Sequence, residues 1–450
     1  MRHIPKEVQA VLAELRRNGH EAWCVGGCVR DLLLGREPDD WDVTSSALPE
    51  ETMAVFGGRA IPTGLQHGTV TVKGGEWEVE VTTYRHDGSY SDHRHPDCVT
   101  FTRSLEEDLA RRDFTINAMA MDETRDIRDP FGGREDLERK SVRCVGEPSR
   151  RFEEDALRIL RGLRFASVLD FAVDAAAGAA MERKAGLLRE VAAERIRVEL
   201  DKLLCGPGAA RGLRQFPSVI GVFLPEIFPM VGFAQDNPHH CHDAWEHTLH
   251  ALAAAPEDPV LRMAMLLHDL GKPACFCRDE RGVGHFYGHQ AISRDMAAEI
   301  LSRLKYDNES KRAILLLVAN HDRAFSVTDR GVRRALWEFG EQDFRRLLAV
   351  KRADNLAQAL EYRGRQAELD AAEAIMERLL REGACFSLKD LAVNGRDLME
   401  LGFSGREIGT ALNILVDRVV EGVLKNDRQV LLNCAAAIRA GAAEKNKSGN

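Results

Sequence analysis

Asp40 and Asp42 stand two residues apart in Pro38-Asp39-Asp40-Trp41-Asp42-Val43, and in an extended strand residues i and i+2 face the same way. Two such carboxylates repel unless a cation lies between them. Hard divalent cations take oxygen ligands, and a pair of them about 4 Å apart can activate an attacking hydroxyl while steadying a leaving pyrophosphate. A bare Asp-x-Asp is as readily a solvated acidic turn. The preceding segment CVGGCVRDLLLG separates these readings, because Gly26-Gly27 break a strand and open a helix. Free N–H groups at a helix start suit a triphosphate, and Arg30 on the first turn adds a charge-assisted contact. A third carboxylate is available in EWEVEVTTYR, where Glu76, Glu78 and Glu80 share a face opposite Trp77, Val79 and Val81. Alternation does not choose among the three.

A second group of residues has the chemistry to read a nucleotide. In RRDFTINA, Asp113 can accept from a ribose 2′-hydroxyl and Arg112 can donate to phosphate or base; a surface Arg–Asp pair is the plain alternative. In Glu154-Asp155-Ala156-Leu157-Arg158, the spacing predicts Asp155 and Arg158 on one helix face, where an ordinary i,i+3 salt bridge is expected. The pair has another use. A carboxylate beside a guanidinium matches a base edge that presents an amino donor next to a ring-nitrogen acceptor. Cytosine and adenine have that order on their Watson–Crick edges, whereas uracil and guanine reverse it. Arg161 and Arg164 continue the basic stripe in LRILRGLRFA.

A third group is rich in imidazole. HDAWEHTLHAL, LLHDLGKP, FYGHQ, ANHD and VKRADN supply His247, His268, Asp269, His289, His321 and Asp354. This donor mixture suits manganese, iron, nickel or zinc.

These groups need elements to position them. A chain of 450 residues is too long for one comfortable core, so two to four packed units are expected. With 44% hydrophobic and 30% charged residues it has the profile of a soluble globular protein, and the N-terminus has no apolar run of signal or membrane-spanning length. A cytoplasmic location is expected. Ten cysteines are scattered singly, and Cys275 and Cys277 lack the CxxC spacing of a zinc or redox site; all are expected to be free thiols, mostly buried. A net charge of −9 excludes a generally basic nucleic-acid coat. RNA contacts must come from local clusters such as Arg111-Arg112, Arg150-Arg151 and Arg158/Arg161/Arg164. AWCVGG, HGTVTVKGG and EWEVEVTTYR read as strands among helices up to about residue 140. Beyond about Arg150 the pattern is helical, with EEDALRILRGLRFASVL and AERIRVELDKLL as amphipathic segments. Breaks are expected at Gln235-Asp236-Asn237-Pro238 and after Asp354, and the terminal EKNKSGN is expected to be disordered.

The motifs GGCVRDLLLG, DDWD and RRDFTINAMAMD (111–122) together resemble the bacterial class II tRNA nucleotidyltransferases of the polymerase-β-like superfamily. The resemblance runs along nearly the whole chain. It implies an enzyme that adds CCA to the 3′ end of tRNA without a template, using CTP and ATP, with Mg2+ held by Asp40 and Asp42 and with Glu80 as the third catalytic carboxylate. By the same likeness Gly27, Arg30, Arg112, Asp113, Asp155, Arg158, Arg161 and Arg164 bind the nucleotide, and Glu194 and Arg195 support them. The ordered histidines around HDLGK resemble HD-domain phosphohydrolases, which implies one metal on His247, His268, Asp269 and Asp354 and a second completed by His289 and His321.

The implied class is α+β: a nucleotidyltransferase head with a mixed sheet (1–140), then an all-α neck for nucleotide selection and RNA binding (141–235), an HD region (236–355) and a tRNA-gripping tail (356–450). Partners are tRNA, CTP and ATP, with no DNA and no membrane. Gly64-Leu65-Gln66-His67-Gly68-Thr69-Val70 is similar to CCA-adding members rather than to poly(A) polymerases, and the full-length loop YRHDGSYSDHRHPDCVTF is unlike CC-adding ones. Partial CC or A addition and poly(A) synthesis are the near alternatives. A metal phosphohydrolase with a non-catalytic RNA-binding head would predict damage at Asp40 or Asp42, and both are intact. A purely RNA-binding protein would need neither site.

Overall fold

The computed structural model describes residues 3–88 and 99–447. They form two compact units, one of residues 1–228 with 302–306 and the other of 229–301 with 307–450.

The first unit is built on a seven-stranded sheet. In chain order its pieces are α1 (Lys6–Arg17), β1 (Ala22–Val25), α2 (Gly27–Leu33), β2 (Trp41–Ser45), α3 (Pro49–Phe56), β3 (Ala60–Gly64), β4 (Thr69–Gly74), β5 (Trp77–Thr83), the ribbon β6 (Arg85–Asp87) and β7 (Val99–Phe101), α4 (Leu105–Ala110), β8 (Ala120–Met121) and β9 (Ile127–Arg128). The sheet order is β3-β4-β5-β2-β1-β8-β9. Only β2 and β5 run parallel; the other neighbours are antiparallel. The local reasons are simple. In α1, Val8, Val11, Leu12 and Leu15 recur at helical spacing and are buried, and in β5 Val79 and Val81 point inward while Glu78 and Glu80 stay exposed.

Helices follow: α5 (Gly133–Glu138), α6 (Pro148–Glu154), α7 (Leu157–Leu169), α8 (Ala175–Lys184), α9 (Ala193–Cys205), α10 (Ala209–Gln215) and α11 (Pro217–Ile220). The stretch expected as one amphipathic helix, EEDALRILRGLRFASVL, is broken. Asp155 lies outside both α6 and α7, at φ −137° and ψ 108°, and its Oδ1 accepts the Leu157 N–H at 3.0 Å. Aspartate competes well for such end positions, so the residue expected on a helix face ends one helix and starts the next. Gly162 lets α7 pack closely: a Cβ there would lie 2.3 Å from Met181 Cε and 2.9 Å from Phe114 Cζ.

The second unit is helical apart from one small hairpin. It contains α12 (Ala244–Ala254), α13 (Pro259–Leu267), the hairpin β10 (Cys277–Arg278) and β11 (Gly284–His285), α14 (His289–Arg303), α15 (Asn308–Asn320), α16 (Asp329–Leu356), α17 (Gln366–Arg381), α18 (Gly395–Glu400), α19 (Arg406–Val420) and α20 (Arg428–Lys447). Helix α16 is broken by a kink at Gly340 (φ 76°, ψ 165°) and then runs on through Asp354; its Val332 and Leu336 before the kink and Phe344 and Leu348 after it share a core with Leu369, Met376 and Leu379 of α17. The α+β class read from the sequence therefore holds. Two expectations do not. Helix α20 reaches Lys447, into the EKNKSGN stretch expected to be disordered, with 448–450 outside the described residues. Among nine described free cysteines only Cys24, Cys28, Cys144 and Cys385 are buried, fewer than expected. Residues 89–98 of the long loop lie outside the described residues. No helix among the described residues is long and apolar enough to cross a membrane.

Candidate functional site

The site in the first unit starts at the turn between β1 and α2. Gly26 has φ 78° and ψ −132°, a backbone state that a side chain disfavours. A Cβ there would also meet Arg112 Nη1 at 3.2 Å and Asp42 Oδ2 at 3.6 Å. The bare turn thus lets an arginine and a carboxylate approach the backbone that opens α2. Asp42 lies in β2 between β1 and β5, in register with Val25 on one side and Glu80 on the other. This register separates the three glutamates: Glu80 is opposite Asp42, Glu78 is opposite Lys73, and Glu76 precedes the strand. Asp40 comes one residue before β2 begins. Burial pushes the Asp42 carboxyl up to about 6, and the charges of Asp40 and Glu80 add to that push against Arg112. A carboxylate group short of positive charge fits a hard divalent cation.

Around it opens a cleft of about 560 Å3, lined by Gly26, Gly27, Arg30, Asp40, Asp42, Arg112, Asp113, Asp155, Arg158, Arg161 and Arg164. Glu80 is not on its wall. Arg30 is held by Asn117 Oδ1 at 2.8 Å and by both Asp31 oxygens at 2.9 Å. Arg112 pairs with Asp108 at 3.5 Å, not with Asp113. Asp113 is only 7% exposed, so the surface-pair alternative does not describe it. Its Oδ2 accepts from Arg161 Nε at 2.8 Å and lies 2.7 Å from Nη2, while Oδ1 accepts the Phe114 N–H at 2.9 Å. Burial would raise this carboxyl, but the charges of Arg161 and Arg158 overcome it and hold it at about 2.

Asp155 and Arg158 do not share a helix face. Arg158 donates to Glu154 Oε2 at 2.7 Å and to the Arg111 carbonyl at 3.3 Å, while Asp155 Oδ2 accepts from Arg195 Nη2 at 3.3 Å. Each side chain is braced by a different partner on the wall of one cleft. Arg195 thereby supports the wall; Glu194 has no such contact among the described bonds.

Three residues at this site escaped the sequence reading. Asp108 is fully buried and joins Thr44 of β2 (3.0 Å) to Arg111 (2.9 Å) and Arg112. Phe165 has the guanidinium carbons of Arg30, Arg161 and Arg164 at 5.2, 5.5 and 4.1 Å from its ring centre. Glu199, 6% exposed, lies 3.1 Å from Arg164 Nε and 3.9 Å from Arg161 Nη1. Its signal was present in AERIRVELDKLL: a glutamate on the buried stripe of Ile196, Leu200 and Leu203 needs a cation. Glu199→Gln keeps the shape and removes the charge, so, on the activity that the resemblance implies, KM for both CTP and ATP is expected to rise about fivefold, near 1 kcal/mol. Steady-state kinetics on tRNA lacking CCA checks this, and an unchanged KM would mean that Glu199 does not hold the arginines in place.

In the second unit, the six residues chosen from the histidine-rich segments meet. His247 comes from α12, His268 and Asp269 from the end of α13, His289 from the start of α14, His321 from the end of α15 and Asp354 from α16. His247 Nε2 is 2.9 Å from Asp354 Oδ1, and His268 Nε2 is 3.1 Å from Asp269 Oδ2. His289 and His321 place their Nε2 atoms 3.1 Å apart. The Nδ1 atoms of His268, His289 and His321 lie 2.7, 2.9 and 2.7 Å from the carbonyls of Met265, Phe286 and Val318. Those carbonyls require Nδ1–H, which leaves the Nε2 of each neutral ring as a lone pair aimed into the cluster. In neutral His289 and His321 the two facing lone pairs at 3.1 Å repel, and Asp269 is buried among them. The donor set fits a cation. Burial lowers His268, but Asp269 and Asp354 reverse the effect and carry it up to about 10. Burial and the His268 charge hold His321 down at about 3. Lys272 Nζ, 2.7 Å from Asp269 and 2.9 Å from Gln235 Oε1, is the nearest fixed cation described.

Comparison with known proteins gives the first unit its context. The family profile described as the poly A polymerase head domain matches residues 22–143, and that described as tRNA nucleotidyltransferase domain 2 matches residues 286–435. The CCA-adding enzyme of Geobacillus stearothermophilus is 51% identical over 208 residues, which is 46% of this chain and only about half (51%) of that relative. The CCA-adding enzyme of Limosilactobacillus reuteri is 35% identical over 431 residues, covering 95% of this chain and 96% of its own. The chain belongs to the CCA-adding enzyme family. The crystal structure of the Bacillus stearothermophilus family member in complex with CTP, 32% identical, superposes with a TM-score of 0.71 and covers 98% of both chains. Divalent metal use belongs to nucleotidyltransferases of this kind, in keeping with the acidic group at Asp42. A third profile, described as an RNA and SrmB-binding site of polymerase A, matches residues 170–217, and none of the three covers the histidine cluster as a whole, since the only one to reach it begins at residue 286.

Proposed function

We propose that this protein adds CCA to the 3′ end of tRNA, taking CTP and ATP in turn and using its own side chains in place of a nucleic-acid template. The observation that carries this reading is that one cleft holds both the carboxylates Asp40 and Asp42 and the base-matching side chains Asp155 and Arg158. Asp40 and Asp42, with Glu80 beside them, would hold Mg2+, which when bound neutralises the triphosphate and steadies the departing pyrophosphate. Arg30, Arg161 and Arg164 surround the triphosphate with positive charge. Asp113 fixes Arg161 and keeps an acceptor near the ribose. The cleft wall offers an acceptor from Asp155, at the junction of α6 and α7, and donors from Arg158 to the base edge, so C and A fit and U and G do not. Head, neck and tail are read as 1–140, 141–235 and 356–450, and the protein as cytoplasmic. The test is to supply tRNA ending at the discriminator base, at C and at CC with CTP and ATP separately, and to sequence the 3′ ends. Growth to CCA and no further supports full addition; a stop at CC, addition of A alone or an A tract would replace it with a partial enzyme or a poly(A) polymerase.

A second activity is favoured by the facing imidazoles. We infer that residues 236–355 form an HD-type phosphohydrolase, with a transition metal held by His247, His268, Asp269 and Asp354 and a second completed by His289 and His321. Such a metal supplies an activated water and draws charge from a phosphoryl oxygen. Lys272 is positioned to hold the phosphate, and the carbonyl-bound Nδ1 atoms keep the imidazoles from turning. Removing metal with a chelator is expected to lower the melting temperature of the protein, with about 2–3 kcal/mol lost if the ion had been at a hundredfold excess over its Kd. Re-addition of Mn2+, Ni2+ or Zn2+ should restore it in the parent but not in His268→Ala. An unchanged melting curve in the parent on chelation, with no metal detected by elemental analysis, would refute the metal centre.

A further inference from the structure

Three of the arginines assigned to the triphosphate lie over one aromatic ring. The guanidinium carbon of Arg164 is 4.1 Å from the centre of Phe165, and those of Arg30 and Arg161 are 5.2 and 5.5 Å from it. The ring stands on the wall of the cleft that holds Asp40 and Asp42. In α7, Arg161 and Phe165 are four residues apart and share a helix face, and Arg164 immediately precedes the ring. Arg30 is brought to it by α2. Phe165 is itself buried and meets the ring of fully buried Phe114 at 5.7 Å, with 77° between their planes. Packing therefore fixes it before any ligand arrives.

Three like charges gathered this closely repel one another. Carboxylates offset part of that repulsion: Asp31 pairs with Arg30, Asp113 pairs with Arg161, and Glu199 lies beside Arg164 and Arg161. Burial lowers the Arg164 guanidinium, Glu199 opposes it, and the charges of Arg161 and Arg30 leave the net shift downward. A ring face attracts a cation through its quadrupole and takes up none of its N–H groups, so the guanidinium edges keep donors for phosphate oxygens. A further carboxylate in the same place would consume those donors and repel the incoming phosphates. We propose that Phe165 is a positioning residue whose π-face keeps Arg30, Arg161 and Arg164 gathered before nucleotide binds, so that the triphosphate of CTP or ATP meets cations already in place. The proposal rests on the reading of this cleft as a triphosphate site. Without the attraction of the ring the three cations spread apart, the competent arrangement is less populated, and apparent affinity falls by the same fraction.

Phe165→Leu removes the ring together with its packing on Phe114, so the decisive series keeps the outline of the side chain. Phe165 is replaced in the full chain by phenylalanine carrying one, two or three ring fluorines, each of which draws charge away from the π-face. Titrated in chelator with inorganic tripolyphosphate, the series is expected to bind more weakly at each step, by about fivefold at three fluorines. With Mg2+ and tRNA lacking its CCA, KM for CTP and for ATP should rise by the same steps while kcat holds, the mark of lost binding common to ground state and transition state. The ratio of kcat/KM for CTP over UTP should not move, because the base-reading contacts are left in place. A tripolyphosphate dissociation constant that stays flat or falls along the series, in a chain whose parent binds it, overturns the role of the ring. Steps in KM accompanied by an equal loss of kcat, or by a change in the CTP over UTP ratio, overturn it as well, since they mark a disturbed fold. If the parent binds neither tripolyphosphate nor CTP, the triphosphate reading fails and the proposal falls with it.

Discussion

Asp42→Asn is expected to lower the rate of nucleotide addition by on the order of a thousandfold while making the metal-free protein more stable. These effects have one cause. Asp42 is pressed by burial and by the charges of Asp40 and Glu80, with only Arg112 opposing, and its carboxyl is raised from 3.8 to about 6. A folded-state value above the unfolded one means that the folded protein binds more protons between those limits, so stability falls as pH rises from about 4 to about 6 and stays lowered above. At neutral pH the ionised group costs about 1–2 kcal/mol, allowing for its partial contact with water. Asparagine removes that cost together with the proposed metal ligand. Asp40→Ala should remove addition as well, with the fold and tRNA binding nearly intact. Single-turnover addition at saturating Mg2+ and thermal melts in chelator at pH 5 and pH 8 check both halves. The contribution of this group alone should make the parent melt higher at pH 5 than at pH 8, and Asp42→Asn should remove that contribution. Retained turnover would sink the assignment of Asp42; a destabilised variant would show that the carboxylate holds the fold instead of a cation.

The strand and helix segments of the first unit were legible because their burial is periodic. WEVEVTT became β5 through simple alternation, whereas AWCV and TVTVKG, short apolar runs bounded by glycines, became β1 and β4 with consecutive residues buried. What periodicity does not carry is register between strands. Glu76, Glu78 and Glu80 are equivalent in sequence, and only the parallel pairing of β2 with β5 puts Glu80 opposite Asp42. The break at Asp155 was hidden for a related reason: its apolar spacing continues across α6 and α7, and the competing cap bond to Leu157 N–H wins locally. Glu199 was missed because a buried carboxylate looks like an ordinary helix charge until arginines of another helix meet it, and Asp108 because its pairs with Arg111 and Arg112 are local while the bond from Thr44 of β2 that marks its burial is not. The histidine cluster was legible as a set of residue types. Its facing Nε2 atoms were not, since they depend on the backbone carbonyls that fix each ring.

Asp155→Ala is expected to shrink the preference for CTP over UTP, measured as a ratio of kcat/KM on tRNA lacking its CCA, by about 5- to 150-fold. The size follows from geometry. On the proposed reading, Asp155 on the cleft wall offers an acceptor to the amino group that C and A share, and a mispaired base would leave buried polar groups unsatisfied at about 1–3 kcal/mol. The plain alternative has changed form now that Asp155 is seen between two helices: its structural roles are the bond to Leu157 N–H and the ion pair with Arg195. Losing the cap alone should cost about 1 kcal/mol of stability, and that cost falls on CTP and UTP alike. Arg195→Ala removes the ion pair and leaves the carboxylate, so it should lower both rates with a much smaller change in their ratio. Asp155→Asn keeps the outline and the cap but adds an amide donor, so it should admit UTP more readily than alanine does. If the ratio stays constant in Asp155→Ala and Asp155→Asn while both rates fall together, this residue only braces the junction of α6 and α7, and selection of the base must be assigned to other groups in the cleft.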